Sequence, residues 1–114
     1  MIDVEYYRKE NGKCPFEEFV DALPERLQFK IMEGVEMLSK GGTAVRAPLS
    51  KPLGGGLFEL RVDFGSLASR SFFFFIAGGR AIITSGFIKK SQKTPRRELR
   101  MAKEYRKDWM RRYG

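Results

Sequence analysis

Four phenylalanines stand in unbroken succession at Phe72–Phe75, inside an apolar segment running from Ser71 to Ile76. Successive strand side chains point to opposite faces, so a run with no polar alternation needs cover on both. Ser71–Ile76 therefore reads as the central strand of a sheet that is dry on both sides. A chain of 114 residues with 42% hydrophobic content encloses one such core and has no material for a second, so residues 1–114 are expected to form one domain.

The flanking segments supply the rest of the sheet. Gly78-Gly79 makes a hairpin turn into a strand at Ala81–Ser85. Upstream, Leu57–Val62 alternates, with Leu57, Glu59 and Arg61 on one face and Phe58, Leu60 and Val62 on the other. One face is expected to be dry and the other to carry charge. Ile2–Tyr7 reads as a short first strand before the Asn11-Gly12 turn.

Pro15 opens a helix whose Phe16, Phe19, Val20 and Leu23 share a face, and Pro24 ends it while serving as first residue of the next. That second helix runs to about Lys40 with Leu27, Ile31, Val35 and Leu38 as its buried stripe, and Gly41-Gly42 stops it. A polar connection through Pro48 and Pro52 then reaches Gly54-Gly55-Gly56. Thr94-Pro95 supplies an N-cap and an N1 proline for a last helix carrying Leu99, Ala102 and Trp109. The expected order is β-α-α-β-β-β-α, an α+β fold with a mainly antiparallel sheet packed on two N-terminal helices and a basic C-terminal helix.

Charge is distributed unevenly. Residues 1–85 hold 11 basic and 11 acidic side chains, so the whole net charge of +8 lies from Gly86 onward, where 11 Lys/Arg face Glu98, Glu104 and Asp108. A neutral body with a basic flank suits a polyanion or an acidic protein as partner. The chain has no histidine, which excludes a Ser-His-Asp triad, a histidine-pair ribonuclease and an ordinary zinc site. Its single cysteine, Cys14, excludes an internal disulfide and has no histidine to activate it. No apolar run approaches the roughly 18 residues that span a bilayer, and the first ten residues carry Asp3, Glu5, Arg8 and Lys9, so a soluble cytoplasmic protein without membrane contact is expected.

The candidate chemistry is cationic. Arg61 lies on a strand face, Arg70 opens the phenylalanine strand, and Lys89, Lys90 and Lys93 follow the last strand. If those strands are neighbours, the charges converge into a surface that binds phosphate and offsets the charge of a pentacovalent phosphorane. Such a surface can cleave RNA by attack of the ribose 2′-hydroxyl on the adjacent phosphate, with a lysine or tyrosine handling protons. The plainer readings stand beside these. Arg61 can pair with Glu59 or Asp63, Arg70 can guard the aggregation-prone run beside it, and the lysines can form an ordinary basic loop. Gly54-Gly55-Gly56 precedes a strand rather than a helix and reads as a flexible turn, and Trp109 reads as a packing anchor.

Several motifs together carry a resemblance: Leu57-Phe58-Glu59-Leu60-Arg61, Arg70 before an aromatic strand, and Phe87-Ile88-Lys89-Lys90-Ser91-Gln92-Lys93-Thr94-Pro95 leading into a basic helix. With Pro15-Phe16-Glu17-Glu18-Phe19 and Lys51-Pro52-Leu53, they make the chain similar to a HigB-like, phage-derived branch of the RelE/ParE toxin superfamily. The resemblance implies a RelE-like fold, cleavage of mRNA in the ribosomal A site without metal or organic cofactor, and neutralisation by a cognate antitoxin. It implies catalytic roles for Arg61, Arg70 and Lys90, and RNA contact by Lys89, Lys93, Lys51, Phe87 and Arg96, with Phe87 either stacking on a base or packing beneath the sheet. Ser69 stands where an aromatic often precedes the strand arginine, and the Gly54–Gly56 run is longer than usual. The alternative within the same fold is a non-catalytic protein or a ParE-like inhibitor of DNA gyrase.

Overall fold

β4 (Leu67–Ile76) forms the middle of a five-stranded mixed sheet in the computed structural model, which describes residues 1–114. Its partners are β1 (Asp3–Tyr6), β2 (Ser50–Gly54), β3 (Leu57–Phe64) and β5 (Arg80–Ile88), in the order β1-β5-β4-β3-β2. Three of the four pairings are antiparallel; β1 runs parallel to β5. Helices α1 (Pro15–Asp21) and α2 (Glu25–Gly41) follow β1, and α3 (Arg96–Tyr113) closes the chain.

Both faces of the sheet are covered, as the phenylalanine run requires. Phe73, Leu60, Val62 and Ile83 face Phe16, Leu27, Ile31 and Leu38 of α1 and α2. Phe72, Phe74, Leu57, Ile82 and Phe87 face Ala102 and Trp109 of α3. Each fully buried side chain of this size contributes about 2 kcal/mol, so neither face is dispensable. Gly86 of β5 shows how closely α1 is seated: a Cβ there would overlap the Phe19 ring and stand 3.1 Å from the Arg70 carbonyl oxygen.

Three expectations need correction. The stretch around Pro52 is not a simple connection but strand β2; Pro52 is tolerated because β2 is an edge strand, where a missing N–H costs little. Thr94 does not cap α3: Pro95 occupies that position, and the Thr94 hydroxyl is committed elsewhere. The Leu57/Glu59/Arg61 face is not an open charged face, because α3 lies over its first part and leaves Leu57 and Glu59 only 1% exposed.

α3 is held by a mixed contact as well as by Trp109, which meets Phe74 edge-on at 5.8 Å. The buried Tyr7 hydroxyl donates to Asp108 Oδ2 at 2.6 Å, and Arg112 pairs with the same oxygen at 3.0 Å. Burial, then the bond to Asp108, pushes the Tyr7 phenol up to about 12. The bond from Tyr7, then that from Arg111, holds the Asp108 carboxyl below its ordinary value.

Two predictions follow from this packing. Gly86→Ala should destabilise the fold by about 1–3 kcal/mol in urea denaturation through overpacking against Phe19. The anchoring of α3 should also depend on pH at both extremes, read by the fluorescence of Trp109, the only tryptophan. Stabilisation through Asp108 is complete above the ordinary carboxyl value of 3.8 and is lost as pH falls through the depressed one. Stabilisation through neutral Tyr7 is complete below pH 10 and is lost as pH rises toward about 12, so Tyr7→Phe should abolish that alkaline change.

Candidate nucleic-acid interface

The register of β3 and β4 places Arg61 directly opposite Arg70. On the other side of β4, the Lys89 amide donates to the Ala68 carbonyl at 2.7 Å and carries the chain past the end of β5. Arg61, Arg70, Lys89 and Lys90 consequently line one open cleft of about 810 Å³, with Ser66, Ser91 and Gln92 among its polar walls and no carboxylate. Arg61, Lys89 and Lys90 take part in no ion pair. Three uncompensated cations around one concavity make a strong attractor for a phosphate group.

Arg70 is different in kind. It is 5% exposed, and its Nη1 donates to Asp63 Oδ1 at 2.6 Å and to the Ser69 carbonyl at 2.7 Å. Its Nε lies 3.9 Å from Glu59 Oε1, an ion-pair distance too long for a hydrogen bond, and has no other partner. Glu59 in turn accepts from Thr94 Oγ1 at 2.9 Å. A chain of contacts from Thr94 through Glu59 and Arg70 to Asp63 thus ties the start of α3 to the sheet. Within it Arg70 Nη2 makes no hydrogen bond and is the nitrogen left for a ligand.

The other sequence candidates do not gather there. Phe87 is 7% exposed and stacks on Phe72 at 5.6 Å under α3, so it packs in the core rather than presenting a face to a base. Lys51 is exposed on β2 opposite Glu59, Lys93 lies in the β5–α3 loop, and Arg96 opens α3; none of the three lines the cleft. The sequence reading missed Glu59, Asp63 and Thr94 around Arg70, naming the two carboxylates only as alternative partners of Arg61. The signal available was parity: Glu59 and Arg61 share a face, and the register puts Arg70 on that same face. No three His, Cys, Asp or Glu side chains come together to hold a metal ion.

Removing Glu59 would leave Arg70 as a buried charge with one exposed counter-ion. Glu59→Ala should therefore cost about 3 kcal/mol in chemical denaturation. Asp63→Ala should cost less than about 1 kcal/mol, since the Asp63 side chain is 60% exposed and water replaces it.

A comparison with curated proteins gives no match. A family model described as "Phage derived protein Gp49-like (DUF891)" matches residues 18–107, which include every residue of the cleft, strands β2 to β5 and most of α3. No helix is long and apolar enough to cross a membrane. With most of its length and its whole cationic cleft inside the match, the chain belongs to the Gp49-like phage-derived family, a RelE/HigB-like toxin family.

Proposed function

We propose that this protein is the toxin of a type II toxin–antitoxin pair and acts as a ribosome-dependent mRNA endonuclease in the cytoplasm. The observation that carries the reading is the cleft of uncompensated cations, with a rigidly held arginine on one wall. In the reaction the ribose O2′ bonds to the adjacent phosphorus and the bond from phosphorus to O5′ breaks, giving a 2′,3′-cyclic phosphate and a 5′-hydroxyl end. Arg61 and Arg70 Nη2 stabilise the extra negative charge on the phosphorane oxygens, where preorganised donors are most effective. Arginine does not release its proton, so proton transfer falls to Lys90 and Lys89, the other ionisable groups on the cleft wall. The chemistry asks for no metal or organic cofactor.

The partners under this reading are the ribosome with its mRNA and a cognate antitoxin. An acidic antitoxin segment would be drawn electrostatically to the net charge of +8.

The test is a translation assay on programmed ribosomes with 5′ ends mapped by primer extension. Wild-type protein should cut in phase with codons, and Arg61→Ala or Lys90→Ala should each slow cutting by about 10²-fold with an unchanged circular dichroism spectrum. Arg61 and Lys90 are chosen because Arg70 also supports the fold. Intact mRNA with wild-type protein would falsify the nuclease reading, and inhibited DNA supercoiling in its place would favour the gyrase alternative.

A further inference from the structure

The outer face of α3 carries a row of cations that neither the fold nor the cleft uses. At about 100° per residue, Arg96, Arg100, Lys103 and Lys107 fall within about 60° of arc and span about 16 Å along the axis. All four are exposed, and none makes an ion pair.

A second observation lies beside the row. Lys103 and Lys107 join Arg106 and the Gly54-Gly55 backbone around a groove of about 440 Å³ that contains no carboxylate and shares no residue with the cleft. Arg106 Nη1 donates to the Gly55 carbonyl at 2.6 Å and pins the β2–β3 turn to the helix. Gly54 and Gly55 have φ of +93° and +63°, and nothing lies within 4 Å of where a Cβ would stand. Their backbone is therefore open to close approach by a ligand.

We propose that the outer face of α3 and this groove form a second phosphate track, which grips the sugar-phosphate backbone of folded RNA without reading its sequence. The proposal rests on the reading that the cleft acts on RNA. Successive cations advance by about 6 or 4.5 Å, so several phosphates can be engaged along the ridge at once. An acidic protein partner would want apolar anchors seated in a pocket. The groove wall does include Leu53, Leu57 and Met110, but Leu57 is 1% exposed and only Met110, at 45%, is freely exposed beside the row. Isolated cations on a convex ridge are instead the pattern of backbone contacts that position a protein on nucleic acid.

The experiment uses a labelled 16-base-pair RNA duplex, with affinity followed by fluorescence anisotropy over a range of salt concentrations. The triple variant Arg100→Gln/Lys103→Gln/Lys107→Gln changes only exposed side chains and should keep its circular dichroism spectrum. Its slope of log affinity against log salt should be shallower than wild type by about 2–3, at roughly 0.7–0.9 per lost phosphate contact. The cleft variant Arg61→Gln/Lys90→Gln should lose less of the slope. An unchanged slope in the triple variant overturns the proposal. So does displacement of the duplex by poly-glutamate as readily as by unlabelled duplex, which assigns the face to an acidic protein. Wild-type protein that binds with the steep slope but never cuts mRNA supports the track and removes the nuclease reading alone, so the two failures are separable.

Discussion

Burial of β4 on both faces governs the rest of the molecule. Phe73 points toward α1 and α2 while Phe72 and Phe74 point the other way, so the chain has to return over the second face after the sheet is complete. α3 does this with Ala102 and Trp109 inward, which leaves Arg96, Arg100, Lys103 and Lys107 to its outer side. The cleft lies where this cover stops. Along one face, β3 passes from buried Leu57 and Glu59 to half-buried Arg61, and β4 from buried Phe74 and Phe72 to buried Arg70, and the two arginines line the cleft.

Electrostatics divides the cleft into two kinds of cation. Arg70 is taken out of water, which is expensive unless partners compensate, and Asp63 and Glu59 stand beside it. The result is fixed geometry: the guanidinium is held by Asp63 and the Ser69 carbonyl through Nη1, with Glu59 beside Nε. Arg61 and Lys89 are half-buried and Lys90 is exposed, and with no counter-ion they carry the uncompensated charge of the cleft. Glu59 links these roles to the fold: through Thr94 it senses where α3 begins, so the placement of the helix and the placement of Arg70 are one problem.

Much of the fold was legible because it rests on local rules. The central strand, the two proline-led helices, the Gly78-Gly79 hairpin and the packing role of Trp109 all follow from periodicity and turn chemistry, and the structure has them. β2 was not legible, since a proline in a short polar segment argues against a strand until its place at the sheet edge is known. Thr94 looked like a cap because capping is the usual role of threonine before a helix, whereas a buried carboxylate from residue 59 competes for its hydroxyl. The cation cluster was visible as residue types, but Lys51, Lys93 and Arg96 could not be separated from the four that line the cleft, and Phe87 stayed open between stacking on a base and packing in the core.

The sequence by itself determined that one doubly covered sheet would form, that its surplus positive charge would lie in the last part of the chain, and that histidine chemistry is excluded. These depend on composition and on neighbours a few residues apart. Tertiary structure alone decided that Arg61 would oppose Arg70, that Arg70 would be buried between Asp63 and Glu59, and that Phe87 would be core. The reason is physical: a side chain's charge environment depends on strand register and on where α3 ends its cover, and both are set by contacts between residues far apart in the chain.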